Sequence, residues 1–258
     1  MVPTELAVGT KSNHYFLGYC MYQSPAMKHK ARVKKALALK AVKAQADKLL
    51  LERDADSPPD SPEVLGSDYP TALISLKANL DLLKGRSIPE KIELKKALVP
   101  IYKGFIQDYI DNEENFKNEV LVTMIIWLLD VEDIECALQF AFVAIEQNQS
   151  MPERFKRDLV TYVVETVCTW AELQYEKELS SSPYFDEVLD MIVSGEWSVS
   201  QMIVDSKCYR IAGMISQREG EYQKAVEWYE MCMKVNPKGH GVKTKHAECV
   251  TKLKKQND

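Results

Sequence analysis

The sequence predicts an all-α protein: a basic N-terminal helix followed by a bundle of helical hairpins with tetratricopeptide-like spacing. Three observations carry this. Glycine is scarce, at 10 of 258 residues, whereas all-β folds need many turns. Apolar residues recur at three- and four-residue intervals through most of the chain after residue 70. The hydrophobic content is 46%, enough for a real core.

The first helix is predicted over 24–53, where Ala, Leu, Lys, Arg and Gln dominate. Ser24 and Pro25 have the character of an N-cap and N1 pair. At 100° per residue, Lys28, Arg32, Lys35 and Lys43 share one stripe, while Val33, Leu37, Ala44 and Leu51 share another. Residues 28–53 hold nine Lys or Arg against Asp47 and Glu52, a net of +7 in a chain of net charge -5. A polyanionic partner fits this asymmetry. Nucleic acid needs several cations on one rigid surface, because each neutralised phosphate releases counterions. A solvated, solubilising helix has the same composition. An anionic membrane surface fits less well, since the helix has no Trp or Phe.

DADSPPDSPEVLGSDYP (54–70) carries four prolines and five acids with no base, and is read as a linker. Residues 71–258 then form the helical-hairpin domain. Helices are expected over 71–84, over 90–111 with Pro100 inside, over 114–129 with an apolar end buried on most sides, and over 134–148. A long helix is expected from Pro152 towards Glu178, a short one after SSSPY, and a last hairpin from 199. In that hairpin Gly213, Ala225, Tyr229 and Pro237 are spaced 12, 4 and 8 apart. Small residues let two antiparallel helices approach, the aromatic fills the groove and proline ends the second helix. Ala137, Ala141 and Ala144 play the small-residue part in an earlier hairpin, 118–148.

The sequence holds no Walker loop, no GxSxG and no HExxH, so no catalytic residue and no cofactor is assigned. DVEDIE (130–135) concentrates four acids, as a two-metal nuclease would require. Its place at a helix start favours capping instead, by Asp130 with Asp133 as its partner in a box-like pair. His240, His246, Cys232 and Cys249 lack the CxxC pairing of a closed zinc site, so no metal is assigned either. The six scattered cysteines read as reduced thiols of a cytosolic protein. Seven lysines between Lys234 and Lys255, against Glu248, read as a solvated C-terminal tail complementing a helix dipole. No window approaches the length of a membrane span, and no secretory signal opens the chain.

Four patches in a common order carry a resemblance. SPAMKHKARV (24–33), TMIIWLLDVEDIECALQFAFVAIE (123–146), MPERFKRD (151–158) and GEYQKAVEWY (220–229) with Gly213 are similar to segments of the phage small terminase subunit family. The resemblance implies a subunit that recognises the packaging site in phage DNA and assembles into oligomers, often rings. It implies recruitment of a large subunit that carries the packaging ATPase and nuclease, in the cytoplasm of the infected bacterium. On this reading Lys28, His29, Lys30, Arg32, Lys34, Lys35, Lys40 and Lys43 are the expected phosphate contacts. The competing class is a helical-repeat interaction scaffold that binds no nucleic acid.

Overall fold

The computed structural model describes residues 68–257. Among them are nine α-helices and no strand. Helix α1 spans Tyr69–Leu82, α2 Ile88–Asp111 and α3 Glu119–Asp130. Helix α4 spans Ile134–Glu146, α5 Leu159–Glu176 and α6 Tyr184–Val193. Helix α7 spans Met202–Arg218, α8 Tyr222–Val235 and α9 Lys243–Asn257. Successive helices pack as hairpins, α3 against α4 and α7 against α8, with α5 lying on α7 and α9 on α8.

The centre is α3. Every residue from Val120 to Leu129 is buried, so this helix has no solvent face. Fully burying one aliphatic side chain contributes about 1.5–3 kcal/mol, which makes α3 the densest source of stability in the bundle. Helix α4 approaches it closely because Ala137, Ala141 and Ala144 have no exposed surface. Tyr102 of α2 meets Trp127 edge-on at 6.2 Å, and Asn79 of α1 donates to the Tyr102 hydroxyl at 2.7 Å.

Polar side chains close the connections. The 112–118 loop is pinned to the end of α4: Gln147 Nε2 donates to the Glu114 carbonyl at 2.8 Å and Gln149 Nε2 to that of Phe116 at 2.7 Å. The buried Asn118 caps α3 by accepting from the Leu121 amide at 3.0 Å. That cap explains why the third helix starts at Glu119 and not at residue 114. Helix α2 runs on through Pro100, which lies on its exposed side. Tyr69 and Pro70, placed in the linker by composition, form the first turn of α1 instead.

Three further expectations are corrected. The long helix begins at Leu159, not at Pro152, because Asp158 caps it: Oδ1 accepts from the Thr161 amide at 2.7 Å and Oδ2 from the Thr161 hydroxyl at 2.8 Å. The C-terminal lysines belong to a docked helix: Val242 just before α9 and Cys249 within it are fully buried. Cys168 of α5 and Cys208 of α7 form a disulfide, with Cα atoms 5.9 Å apart, so the cysteines are not all thiols. Those two residues lie 40 positions apart on different helices, a pairing that spacing alone does not show.

The tetratricopeptide-like register appears in the α7–α8 hairpin. Gly213 faces the ring of Tyr229 so closely that a Cβ there would lie 2.4 Å from Cε1. Tyr229 and Ala225 are fully buried, and the Tyr229 hydroxyl donates to Gln217 Oε1 at 2.7 Å. Tyr209 stacks on Trp228 with centroids 6.1 Å apart. Helix α8 stops at Val235, two residues before Pro237.

Candidate functional site

Lys28, His29, Lys30, Arg32, Lys34, Lys35, Lys40 and Lys43 lie outside the described residues. Three features within those residues are candidates for a site: the acidic α3–α4 turn, the lysine-bearing terminal helix and a groove walled by α6, α7 and α8.

The acidic turn is occupied by lysines. Asp133 is the N-cap of α4, its Oδ1 accepting from the Cys136 amide at 3.3 Å. Its Oδ2 holds Lys103 Nζ of α2 at 2.8 Å. Asp130 closes α3 instead of capping α4, and pairs with Lys95 of α2. Burial alone would pull the Lys103 ammonium down, but the hydrogen bond to Asp133 and the neighbouring Cys136 outweigh it and hold the pKa above the ordinary lysine value. Among the described residues no three His, Cys, Asp or Glu side chains converge as metal ligands. The capping reading of this motif holds, with the cap at Asp133.

A second ionic centre ties α5 to α7. Glu172 accepts from Arg210 Nη2 at 2.8 Å and pairs with Lys207 at 3.5 Å. Burial would raise the Glu172 pKa, but the two cations outweigh it and hold the carboxyl below its usual range. This cluster sits beside the Cys168–Cys208 bridge in sequence and joins the same two helices.

On the terminal helix, Lys243, Lys252, Lys254 and Lys255 are exposed. Lys252 lies over the Tyr222 ring, 5.0 Å from its centroid. The groove lies between the 178–182 segment and helices α6, α7 and α8, with a volume of about 680 Å³. Its lining combines apolar side chains and serines with four carboxylates and two cations, Arg218 and Lys224. Sequence reasoning missed it because its walls come from four separate parts of the chain.

A sequence profile of the phage small terminase subunit family matches residues 73–200. The "Probable terminase, endonuclease subunit" of Haemophilus phage HP1 is 28% identical over 203 residues, which cover 73% of this chain and 71% of that protein. The "Terminase, endonuclease subunit" of Escherichia phage P2 is 26% identical over 135 residues, 52% of this chain and 48% of that one. The all-α bundle of hairpins thus carries a sequence of the phage small terminase subunit type. The chain belongs to the phage small terminase subunit family. Among solved structures, MamA 41-end from Desulfovibrio magneticus RS-1 is 13% identical, with a TM-score of 0.32, covering 76% of this chain and 99% of that one. The MamA RS-1 ArsTM double mutant is 14% identical, with a TM-score of 0.31, covering 76% and 98%. Among the described residues no helix is long and apolar enough to cross a membrane.

Proposed function

We propose that this chain is the DNA-recognition subunit of a phage terminase. It binds double-stranded phage DNA at the packaging site and directs the large ATPase and nuclease subunit to cut the genome and package it into the procapsid. The work takes place in the cytoplasm of the infected bacterium. The observation that carries the proposal is the charge segregation within a member of this family: a net of +7 over residues 28–53, on a chain whose remaining residues from 54 onward are strongly acidic. Segment 24–53 engages phosphates through Lys28, His29, Lys30, Arg32, Lys34, Lys35, Lys40 and Lys43. Segment 54–70 links it to the helical body, and residues 71–258 supply contacts between copies, in an oligomer, and to the large subunit.

The relatives are named for an endonuclease. In this chain the clustered carboxylates Asp130 and Asp133 each hold a lysine and one of them caps a helix. That supports reading the chain as a subunit that places the cut, with the cleavage carried out by its large partner.

The test is a mobility-shift titration on cohesive-end phage DNA and on random duplex across a salt series. The triple variant K28E/R32E/K35E is expected to lose binding and to flatten the salt slope, about 0.9 per phosphate contact removed, while assembly stays intact. Unchanged affinity in the triple variant would refute the assignment of this segment. Absence of binding by the wild type to either duplex would favour the helical-repeat scaffold.

A further inference from the structure

We propose that the groove between α6, α7 and α8 docks a short cationic and apolar peptide segment of a partner protein. Its floor is built by Phe185 and Leu189 of α6 and Ile215 of α7. Trp228 of α8 forms one wall, and its stack on Tyr209, with planes 9° apart, fixes the indole before any ligand arrives. A prearranged aromatic wall lowers the ordering cost of binding. Leu179 at the rim is 53% exposed, a large aliphatic side chain with an apolar trough beside it and nothing over it. The volume, about 680 Å³, falls within the range of ligand sites.

The charges select the occupant. Glu178, Asp186, Asp190 and Glu219 line the groove, and its cations are Arg218 and Lys224. Both cations are already engaged by the chain. Arg218 donates to the Tyr175 carbonyl at 3.0 Å and lies over the Tyr175 ring at 4.4 Å, while Lys224 pairs with Glu221 at 3.1 Å. Asp186 accepts one bond, from the Ser182 hydroxyl at 2.6 Å. A carboxylate has about four acceptor sites, so capacity remains for an incoming ammonium or guanidinium. An anionic ligand would meet a rim of its own sign. A peptide alternating Lys or Arg with a large apolar side chain satisfies both floor and rim. This site is independent of the DNA contact assigned to segment 24–53.

The experiment is a fluorescence-anisotropy titration of the full chain against a fluorescein-labelled Lys-Leu-Lys-Phe-Lys-Leu-Lys peptide. The same peptide with Glu in place of Lys is the control. The cationic peptide is expected to bind and the acidic one not to. D186K/D190K is expected to weaken binding by at least about tenfold. D81K/E93K makes the same change of net charge on exposed residues of α1 and α2 and is expected to leave affinity within about twofold. A second groove variant, E178K/E219K, changes exposed residues just beyond the ends of α5 and α7 and covers the case in which the α6 variant fails to fold. Absence of binding, or equal weakening by the groove variants and D81K/E93K, overturns the proposal.

Discussion

Gly213→Ala isolates the contact that sets the α7–α8 distance. Two effects oppose each other. Removing a glycine from a helix interior stabilises by about 0.8–1 kcal/mol. Against that, the new methyl would sit 2.4 Å from Tyr229 Cε1 and 2.6 Å from Cδ1. Optimal carbon contacts are near 3.5–4.0 Å, so the ring and the new carbon must separate by about 1 Å. The obstacle is a rigid ring with no exposed surface, held by its hydroxyl to Gln217 at 2.7 Å. Overpacking costs about 1–3 kcal/mol, and displacing the hydroxyl costs a further 0.5–1.5 or so. The clash therefore wins, and the variant is expected to be about 1–3 kcal/mol less stable. The assay is urea unfolding followed by far-ultraviolet circular dichroism, read as the midpoint at constant slope. Thermal midpoints should drop by about 2–4 °C for each kcal/mol. A double-mutant cycle supplies the control: Tyr229→Leu removes the ring edge, and in that background the cost of Gly213→Ala should shrink or reverse. A Gly213→Ala midpoint equal to or above wild type would refute the close-approach argument.

The other predictions concern caps and buried polar groups. Asp158→Ala should destabilise by about 1 kcal/mol, since it removes the cap of α5. Burial would raise the Asp158 pKa, but its hydrogen bonds from Thr161 and Ser200 outweigh this and hold it below the usual range. Its contribution is thus fully present above the unfolded value of about 3.9 and lost as pH falls through the folded value, so the gap in unfolding midpoint between wild type and Asp158→Asn should narrow progressively as pH falls below about 3.9. Thr123→Val should stabilise by about 1 kcal/mol in the same denaturation assay, because the Thr123 hydroxyl is buried inside α3 without a hydrogen-bond partner. Glu172→Ala should cost about 1 kcal/mol by leaving Arg210 and Lys207 without their shared carboxylate, and raised salt should narrow the gap.

Particular residues show what the sequence could and could not announce. Helix α3 was legible because its apolar run has no polar face to misassign, and the α7–α8 register because Gly213, Ala225 and Tyr229 form a pattern with a steric reason. The start of α5 was misplaced because Pro152 is a generic helix opener, whereas the Asp158 cap depends on side-chain geometry. Helix α9 was hidden by its lysines: two buried anchors, Val242 and Cys249, are too few to mark an apolar face. The pairing of Cys168 with Cys208 and the assembly of the groove depend on which helices become neighbours, a property of the fold that local periodicity does not encode.

Lys95 and Lys103 stand eight residues apart on α2, about 12 Å along its axis at 1.5 Å per residue. Both reach the same short turn, at Asp130 and Asp133. A rod fastened at two points to one hinge can neither spin nor slip along its length without unseating both fasteners. A load that tilts α2 is therefore felt first at the α3–α4 corner, next to the fully buried α3. Such a keyed joint would turn a push on the solvent side of α2 into a displacement at the centre of the bundle.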